Sequence, residues 1–511
     1  MTGPNMSRRF LFFVIISLIF RIVFSLTVGL IDDEAYHWSW TQTLQLSYFD
    51  HPAMIAWLEA LSTSFFGNTL VGVRLPSFLL YLGVLYFSWR LSWDLFGEIA
   101  AQVVVALLLW TPLWGFGGYV ASPETPFMFF WILSCWIFWQ YVREDSQAWS
   151  AKKTWLYLGL TMGLGLNSKF IIALLAPGFG LFMFFSKTKK RDLFTRWPWL
   201  GFLIATLICA PIFIWNYQQN WPGFRYQFHD RHTGEALSLA RWAGWWGAQW
   251  LFLTPVVYFM VILSFLKSFL SRNENTWRFI FFLSLPTIFI FYLQPLFADY
   301  KPHWPGSMYL ILCLAVGALW SEGFSWHYRP IVKAFSSRIL WGVLGTLVVL
   351  NLLIYSPFIS PWWPKAFRFI NPQGEWKTTY DMSNEFHGWE ELGIRMKRKQ
   401  REIHGETGRP PFLAALRYET TAQAWWGTQD VVYMLNTPRS HYTVMQESQN
   451  SLEVLKGLDA VVVTTEKYAS DPMNYAVFDS CTPDEFKTYR NQEHSRTFTL
   501  WWCKNFQNIK R

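Results

Sequence analysis

Residues 31–59, IDDEAYHWSWTQTLQLSYFDHPAMIAWLE, gather the carboxylates Asp32, Asp33, Glu34, Asp50 and Glu59 and the imidazoles His37 and His51, with no Lys or Arg among them. They follow directly on an apolar run, residues 10–30. Carboxylates at the mouth of a membrane helix are expensive unless water, a cation or a reaction needs them there. The chemistry they suggest is proton removal. Asp33, with Glu34 beside it, is placed at the water interface to act as a general base toward an attacking hydroxyl. The bland alternative is a solvated acidic loop, and three further features weigh against it. Asp50 and His51 in YFDHP (48–52) stand at the entrance of a second short helix, with Pro52 suited to its first turn. Lys169 interrupts an apolar hairpin in LNSKFIIALL and calls for an anionic partner, for which a lipid phosphate is a natural candidate. DYKPHWP (299–305) offers Lys301 and His303 beside another apolar segment. Acids and cations on one membrane face fit a site where a lipid-borne phosphate leaves while a base activates a nucleophile.

The elements that must carry these residues are membrane helices. Of 511 residues, 52% are hydrophobic and 15% charged, with 33 Trp and 47 Phe. Apolar runs near the ~20 residues that cross a bilayer core recur up to residue 356. Open sheet edges are excluded from lipid, so helices are expected to do the spanning. The expected segments, about eleven transmembrane helices, lie near 10–30, 71–91, 98–115, 125–142, 155–167, 170–185, 198–215, 242–266, 278–296, 305–320 and 339–356. The first resembles a signal peptide, with Arg8 and Arg9 ahead of it, but it is too long and lacks a small-residue cleavage site, so it reads as an uncleaved span. Arg21 inside it is expected to pair within the bundle or to snorkel.

The formal charge is +9. Its Lys and Arg concentrate in short loops on the side of the N-terminus, the positive-inside pattern of a membrane protein and not a nucleic-acid patch. An odd number of spans then places the acidic loop 31–70, Glu124, Lys169, segment 216–241, residues 299–304 and the C-terminal region on the extracytoplasmic face. Segment 216–241, with Arg225, His229, Arg231 and His232 among aromatics, reads as an interfacial loop leading into an aromatic belt.

From residue 357 the texture changes. Short β-like runs, PFLAAL, DVVYML, DAVVVTT and RTFTLWW, with a helical candidate at 418–426, indicate a small α/β domain. The expected division is a transmembrane domain, 1–356, and an extracytoplasmic α/β domain, 357–511. Cys135, Cys209 and Cys313 lie in apolar spans as small core residues; Cys481 and Cys503 could pair outside the cytoplasm.

The pieces DEAYHW (33–38), YFDHPAMIAWL (48–58), VRLPS (73–77), SPETPFMFFW (122–131), NSKF (167–170) and KPHWPGSMYL (301–310) resemble the GT-C glycosyltransferases that use polyprenyl-phosphate sugars. The relevant branch is that of the bacterial relatives of protein O-mannosyltransferases and of the lipid A aminoarabinose transferase. The resemblance implies a polytopic α-helical GT-C membrane fold with a small extracytoplasmic α/β domain. It implies Asp33 as catalytic acid with Glu34 its partner, Asp50 and His51 as the second motif of the same loop, and Lys169, Lys301 and His303, joined by Arg74, near the donor phosphate. Glu124 stands where an Asp is expected, and Ala53 where a second Pro is common. The implied reaction is an inverting displacement in which polyprenyl phosphate leaves, to a lipid A or other glycan acceptor, in the bacterial inner membrane. No cofactor is required and no metal ligand is assigned, although Asp32, Asp33 and Glu34 could hold a divalent ion. The expected partners are the lipid-linked sugar, the acceptor and membrane lipids, with no nucleic acid. The rival readings are a protein O-mannosyltransferase-like enzyme and a flippase of a lipid-linked sugar, though the repeated halves and broken midplane helices of transporters are not evident.

Overall fold

The computed structural model describes residues 6–115, 120–230, 236–322, 324–326, 329–332, 337–437, 440–448 and 452–510; Arg231 and His232 lie outside them. The chain separates into two compact units: residues 1–22, 45–58 and 74–351, and residues 23–44, 59–73 and 352–511. The second unit thus combines the C-terminal region with residues 23–44 and 59–73.

All eleven expected apolar segments are helical, though not as eleven straight spans. Among the described residues five helices are long and apolar enough to cross a bilayer: Arg8–Thr27, Leu70–Phe96, Glu124–Val142, Asn275–Phe297 and Trp341–Ile359. Two bent pairs raise this to seven if each is one span. Backbone chemistry explains the breaks. Leu239–Leu253 meets Pro255–Leu270 at 107°; Pro255 has no N–H to continue the ladder, and Thr254 between them adopts φ +66°. The segment expected at 305–320 is likewise divided into Gly306–Cys313 and Val316–Glu322.

In the first unit, one helix pair sets the position of Lys169. Ala151–Leu166 and Arg196–Ile208 touch backbone to backbone, since a Cβ on Gly159 would lie 2.5 Å from the Gly201 carbonyl oxygen and one on Gly163 2.7 Å from Ile208 Cβ. Small residues four apart allow this approach. The turn that follows is tied down by Asn167, whose side-chain amide donates to the carbonyls of Gly163 (3.0 Å) and Ile208 (2.9 Å). Its own carbonyl accepts the Met54 N–H at 2.9 Å. Arg21 is fully buried, donates to the Ser17 carbonyl at 2.8 Å and lies 4.9 Å over the Trp110 ring, so it pairs within the bundle. A short hairpin, β1 (Phe324–Trp326) and β2 (Arg329–Val332), also belongs to this unit.

The second unit is built on a five-stranded mixed sheet of order β4-β3-β5-β8-β7. Its strands are β3 (Phe412–Ala415), β4 (Val432–Met434), β5 (Ala460–Thr465), β7 (Ser480–Arg490) and β8 (Glu493–Lys504), with β6 (Ala476–Val477) pairing β9 (Asn508–Ile509) separately. β3 runs parallel to β4 and β5; β8 is antiparallel to β5 and β7. β3 and β5 are buried throughout and read as mainly apolar runs, as strands covered on both faces do. Cys481 and Cys503 stand opposite each other in the β7–β8 register and form a disulfide. Cys135, Cys209 and Cys313 are free and buried.

Candidate functional site

In the first unit the structure brings Glu124, Lys169 and His303 together. Glu124 opens the Glu124–Val142 helix just after Pro123. Its Oε1 pairs with the Lys169 ammonium and lies 3.3 Å from His303 Nε2. Lys169 is buried and immediately precedes a 3₁₀ turn, Phe170–Leu174, so its side chain is presented from a fixed backbone. His51 lies within electrostatic reach of Glu124. It is held by a tight turn in which Tyr48 N–H donates to the His51 carbonyl at 3.2 Å. The Asp50 carbonyl accepts from Gln227 Nε2 at 2.5 Å, and the Phe49 and Tyr226 rings are 4.6 Å apart, so the 216–230 stretch closes over this motif.

His51 and Lys169 line a cavity of about 860 Å³ whose walls are otherwise almost entirely apolar, among them Phe170, Ile212, Phe213, Phe224, Phe291 and Trp304. Gln227 and Gln294 supply the remaining polar lining. An apolar cavity with a lysine in its wall fits a ligand with a long hydrocarbon part and an anionic head. The other two expected phosphate ligands are placed differently. Arg74 is buried within the Leu70–Phe96 helix and is not part of the cavity wall. Lys301 is exposed on the turn whose carbonyl accepts the Trp304 N–H at 3.1 Å, and it is His303 that reaches Glu124. Sequence reading missed the contribution of Phe224 and Gln227, because aromatic residues there fit an interfacial belt equally well.

In the second unit the three consecutive acids have separate fates. They open the Asp32–Trp40 helix, where carboxylates complement the positive helix end. Glu34 is buried, and its Oε2 accepts the Ile31 N–H at 3.1 Å, closing the helix start. Asp32 Oδ1 accepts the Asp33 N–H at 2.9 Å. Burial, then the neighbouring carboxylates Glu385 and Glu419, push the Asp32 carboxyl above its usual range, with Lys467 opposing. Asp33 is exposed. Of the three, Asp33 is therefore the carboxylate most open to a substrate, while Glu34 holds the helix that presents it. Differently buried and differently engaged, they do not converge as an oxygen cage, and among the described residues no group of three or more His, Cys, Asp or Glu forms a metal set.

The Asp32–Trp40 helix is anchored by the C-terminal region. Gln423 Nε2 donates to the Leu30 carbonyl at 2.7 Å, Tyr442 and Ser39 hydroxyls are 2.9 Å apart, and the His441 N–H donates to Tyr36 Oη at 2.8 Å. Trp38 packs edge-on to Trp426 at 4.9 Å.

Glu59, in the Met54–Phe66 helix, is a residue whose state the sequence did not reveal. It is fully buried and, among the described residues, neither carboxylate oxygen accepts a hydrogen bond. Burial, with the Glu34 carboxylate as a second cause, raises its carboxyl well above the usual value and so favours the neutral acid in the folded protein. The unfolded chain ionises above ~pH 4.3. Folding must then take up a proton, at a cost growing by about 1.4 kcal/mol per pH unit until the raised folded value is reached. Glu59→Gln should therefore raise the thermal midpoint at pH 7, with the gain shrinking to nothing as the pH falls toward ~4. Midpoints of the two proteins across that range check this; a pH-independent difference would refute it.

With the geometry described, likeness to known proteins can be stated. ArnT from Cupriavidus metallidurans bound to undecaprenyl phosphate superposes over 96% of this chain and 97% of its own, with a TM-score of 0.61 at 13% identity. Its apo state gives 0.58. This chain therefore shares the fold of that structure. A family model described as dolichyl-phosphate-mannose-protein mannosyltransferase matches residues 50–215. A lipid A galacturonosyltransferase from Rhizobium johnstonii is 22% identical over 57% of this chain and 61% of its own length. An undecaprenyl phosphate-alpha-4-amino-4-deoxy-L-arabinose arabinosyl transferase from Pseudomonas paraeruginosa is 26% identical over 41% of this chain and 38% of its own. The matched stretches thus span less than two thirds of these relatives. The ArnT-like architecture agrees with the resemblance read from the motifs at 33–38, 48–58, 122–131 and 301–310.

Proposed function

We propose that this protein is an integral-membrane glycosyltransferase that moves a sugar from a polyprenyl-phosphate donor to lipid A or a related envelope glycan, at the extracytoplasmic face of the bacterial inner membrane. The observation that carries this reading is the apolar cavity lined in part by His51 and Lys169, with Lys169 held by Glu124. The cavity walls take the polyprenyl chain; Lys169, with His51 and His303, takes the phosphate. Fixed cations of this kind stabilise negative charge as it develops on a leaving group. Asp33 removes the proton from the acceptor hydroxyl. As the acceptor oxygen bonds to the anomeric carbon, the anomeric carbon–oxygen bond to phosphate breaks on the opposite face. The electron pair leaves with the polyprenyl phosphate, the proton stays on Asp33, and the configuration inverts. The names of the relatives support a lipid-linked donor and a lipid A acceptor. The Cys481–Cys503 disulfide supports the extracytoplasmic side, since disulfides persist in oxidising compartments.

Transfer of radiolabelled sugar from polyprenyl-phosphate donor, in membranes supplied with lipid A, tests the reading. Label in lipid A with inverted configuration is expected. Label in protein instead would support a mannosyltransferase-like activity, which the match at 50–215 favours. Donor crossing the bilayer with no transfer at all would replace the enzyme with a flippase.

A further inference from the structure

The carboxyl edge of the C-terminal sheet carries a polar cluster that the reaction above leaves unused. The chain leaves β3 toward β4 through the Tyr418–Thr428 helix, then returns past β3 to β5. Connections leaving β3 and β5 therefore diverge, and in open α/β sheets ligands bind at this switch point, outside the carboxyl ends of the strands. The residues there are Arg417 and Glu419 after β3, and Lys467 and Tyr468 after β5. Arg417 lies 4.7 Å over the Tyr468 ring and 3.9 Å from Glu419, and the Tyr468 hydroxyl is 3.4 Å from Glu419 Oε1. Lys467 pairs with Glu385 at 3.0 Å, and Glu385 with buried Arg496 at 2.8 Å. Asp32 lies in the field of Glu385, Glu419 and Lys467, so the start of the Asp32–Trp40 helix borders the same cluster.

We propose that this edge is the subsite for the saccharide of the acceptor, with Arg417, Lys467 and the Tyr468 hydroxyl binding its hydroxyls beside Asp33; the inference rests on the transfer reaction proposed above. Charge argues for the ligand class. Carboxylates, among them Asp32, Glu385 and Glu419, meet the cations Arg417, Lys467 and Arg496, so neither sign of charge prevails to select an ion. It is instead rich in both donors and acceptors, as hydroxyl groups require. Its two outermost cations are open to solvent, with Arg417 44% and Lys467 38% exposed at the side chain.

The test uses the full-length protein in lipid nanodiscs, with Arg417→Gln and Lys467→Gln, and lipid A as acceptor. Each variant is expected to raise the acceptor KM about tenfold, equivalent to the ~1.4 kcal/mol of one charge-assisted hydrogen bond. Donor KM and thermal midpoint should stay at wild-type values, which a merely structural role would not allow. Arg417→Lys should recover part of the loss. In a second arm, deacylated lipid A competes with lipid A, and its inhibition constant should rise by the same factor in both variants. Unchanged acceptor KM in both variants overturns the subsite. So does a raised KM for lipid A with unaltered inhibition by the deacylated sugar, which would assign the contacts to the lipid. If the wild type transfers nothing to lipid A, the transfer reading fails and takes this subsite with it, an outcome distinct from an active wild type with indifferent variants.

Discussion

Asp33→Asn should abolish most transfer, lowering kcat by ~100- to 10,000-fold, the usual contribution of a general base. The change is isosteric and removes only the ability to accept a proton. Asp33 is exposed at the first turn of the Asp32–Trp40 helix. The helix start is closed independently by Glu34. The variant should therefore fold like the wild type and still bind polyprenyl phosphate. Asp32→Asn is the useful companion, because Asp32 is half-buried with its carboxyl raised by burial and two acidic neighbours. Its loss should be much smaller, and a larger loss than at Asp33 would reverse the assignment. Rates from single-turnover transfer, with donor binding measured separately, decide between these outcomes.

Lys169→Met should be nearly as severe, by ~100- to 1,000-fold, because in the proposed reaction it removes charge stabilisation at the leaving phosphate. Part of any loss would have another origin. Lys169 is buried against the half-buried Glu124, and deleting one partner of such a pair leaves the other uncompensated, at a cost to stability. His303, 3.3 Å from the same Glu124 oxygen, offsets only part of this. The double variant Lys169→Met/Glu124→Gln separates the effects: its thermal midpoint should return toward wild type while transfer stays low. Recovery of transfer along with stability would show that Lys169 serves the fold alone.

Much of the architecture was legible because its signals are local. The runs at 411–416, 430–435, 459–465 and 496–502 became β3, β4, β5 and β8, and the helix expected at 418–426 runs Tyr418–Thr428. β7 was missed for a physical reason: it is an edge strand, largely exposed, carrying Pro483, Asp484, Glu485 and Lys487 with little alternation to read. The Trp389–Thr407 helix was missed although its buried Trp389, Leu392, Met396 and Ile403 keep helical spacing, because the charged residues between them dominate the stretch. In the candidate site, Lys169 and His303 announced themselves as polar residues in apolar surroundings. That both meet Glu124 depends on helix crossings and breaks, such as the contact at Gly159 and Gly163, that no local pattern encodes. Lys301 and His303 illustrate the limit, being two residues apart with only the histidine turned toward the acid.

The contact between the Asp32–Trp40 helix and the C-terminal region also has a consequence in time. Gln423 and the Leu30 carbonyl it binds are separated by 393 positions, and Tyr442 and Ser39 by 403. A ribosome delivers this helix early and its supports last. During synthesis Tyr36, Trp38 and Trp40 wait uncovered, while helix after helix enters the membrane. The part of the protein that would do the chemistry is then completed only when translation is nearly over. An interrupted chain would carry the Asp32–Trp40 helix but not the contacts from Gln423, His441 and Tyr442 that hold it in place.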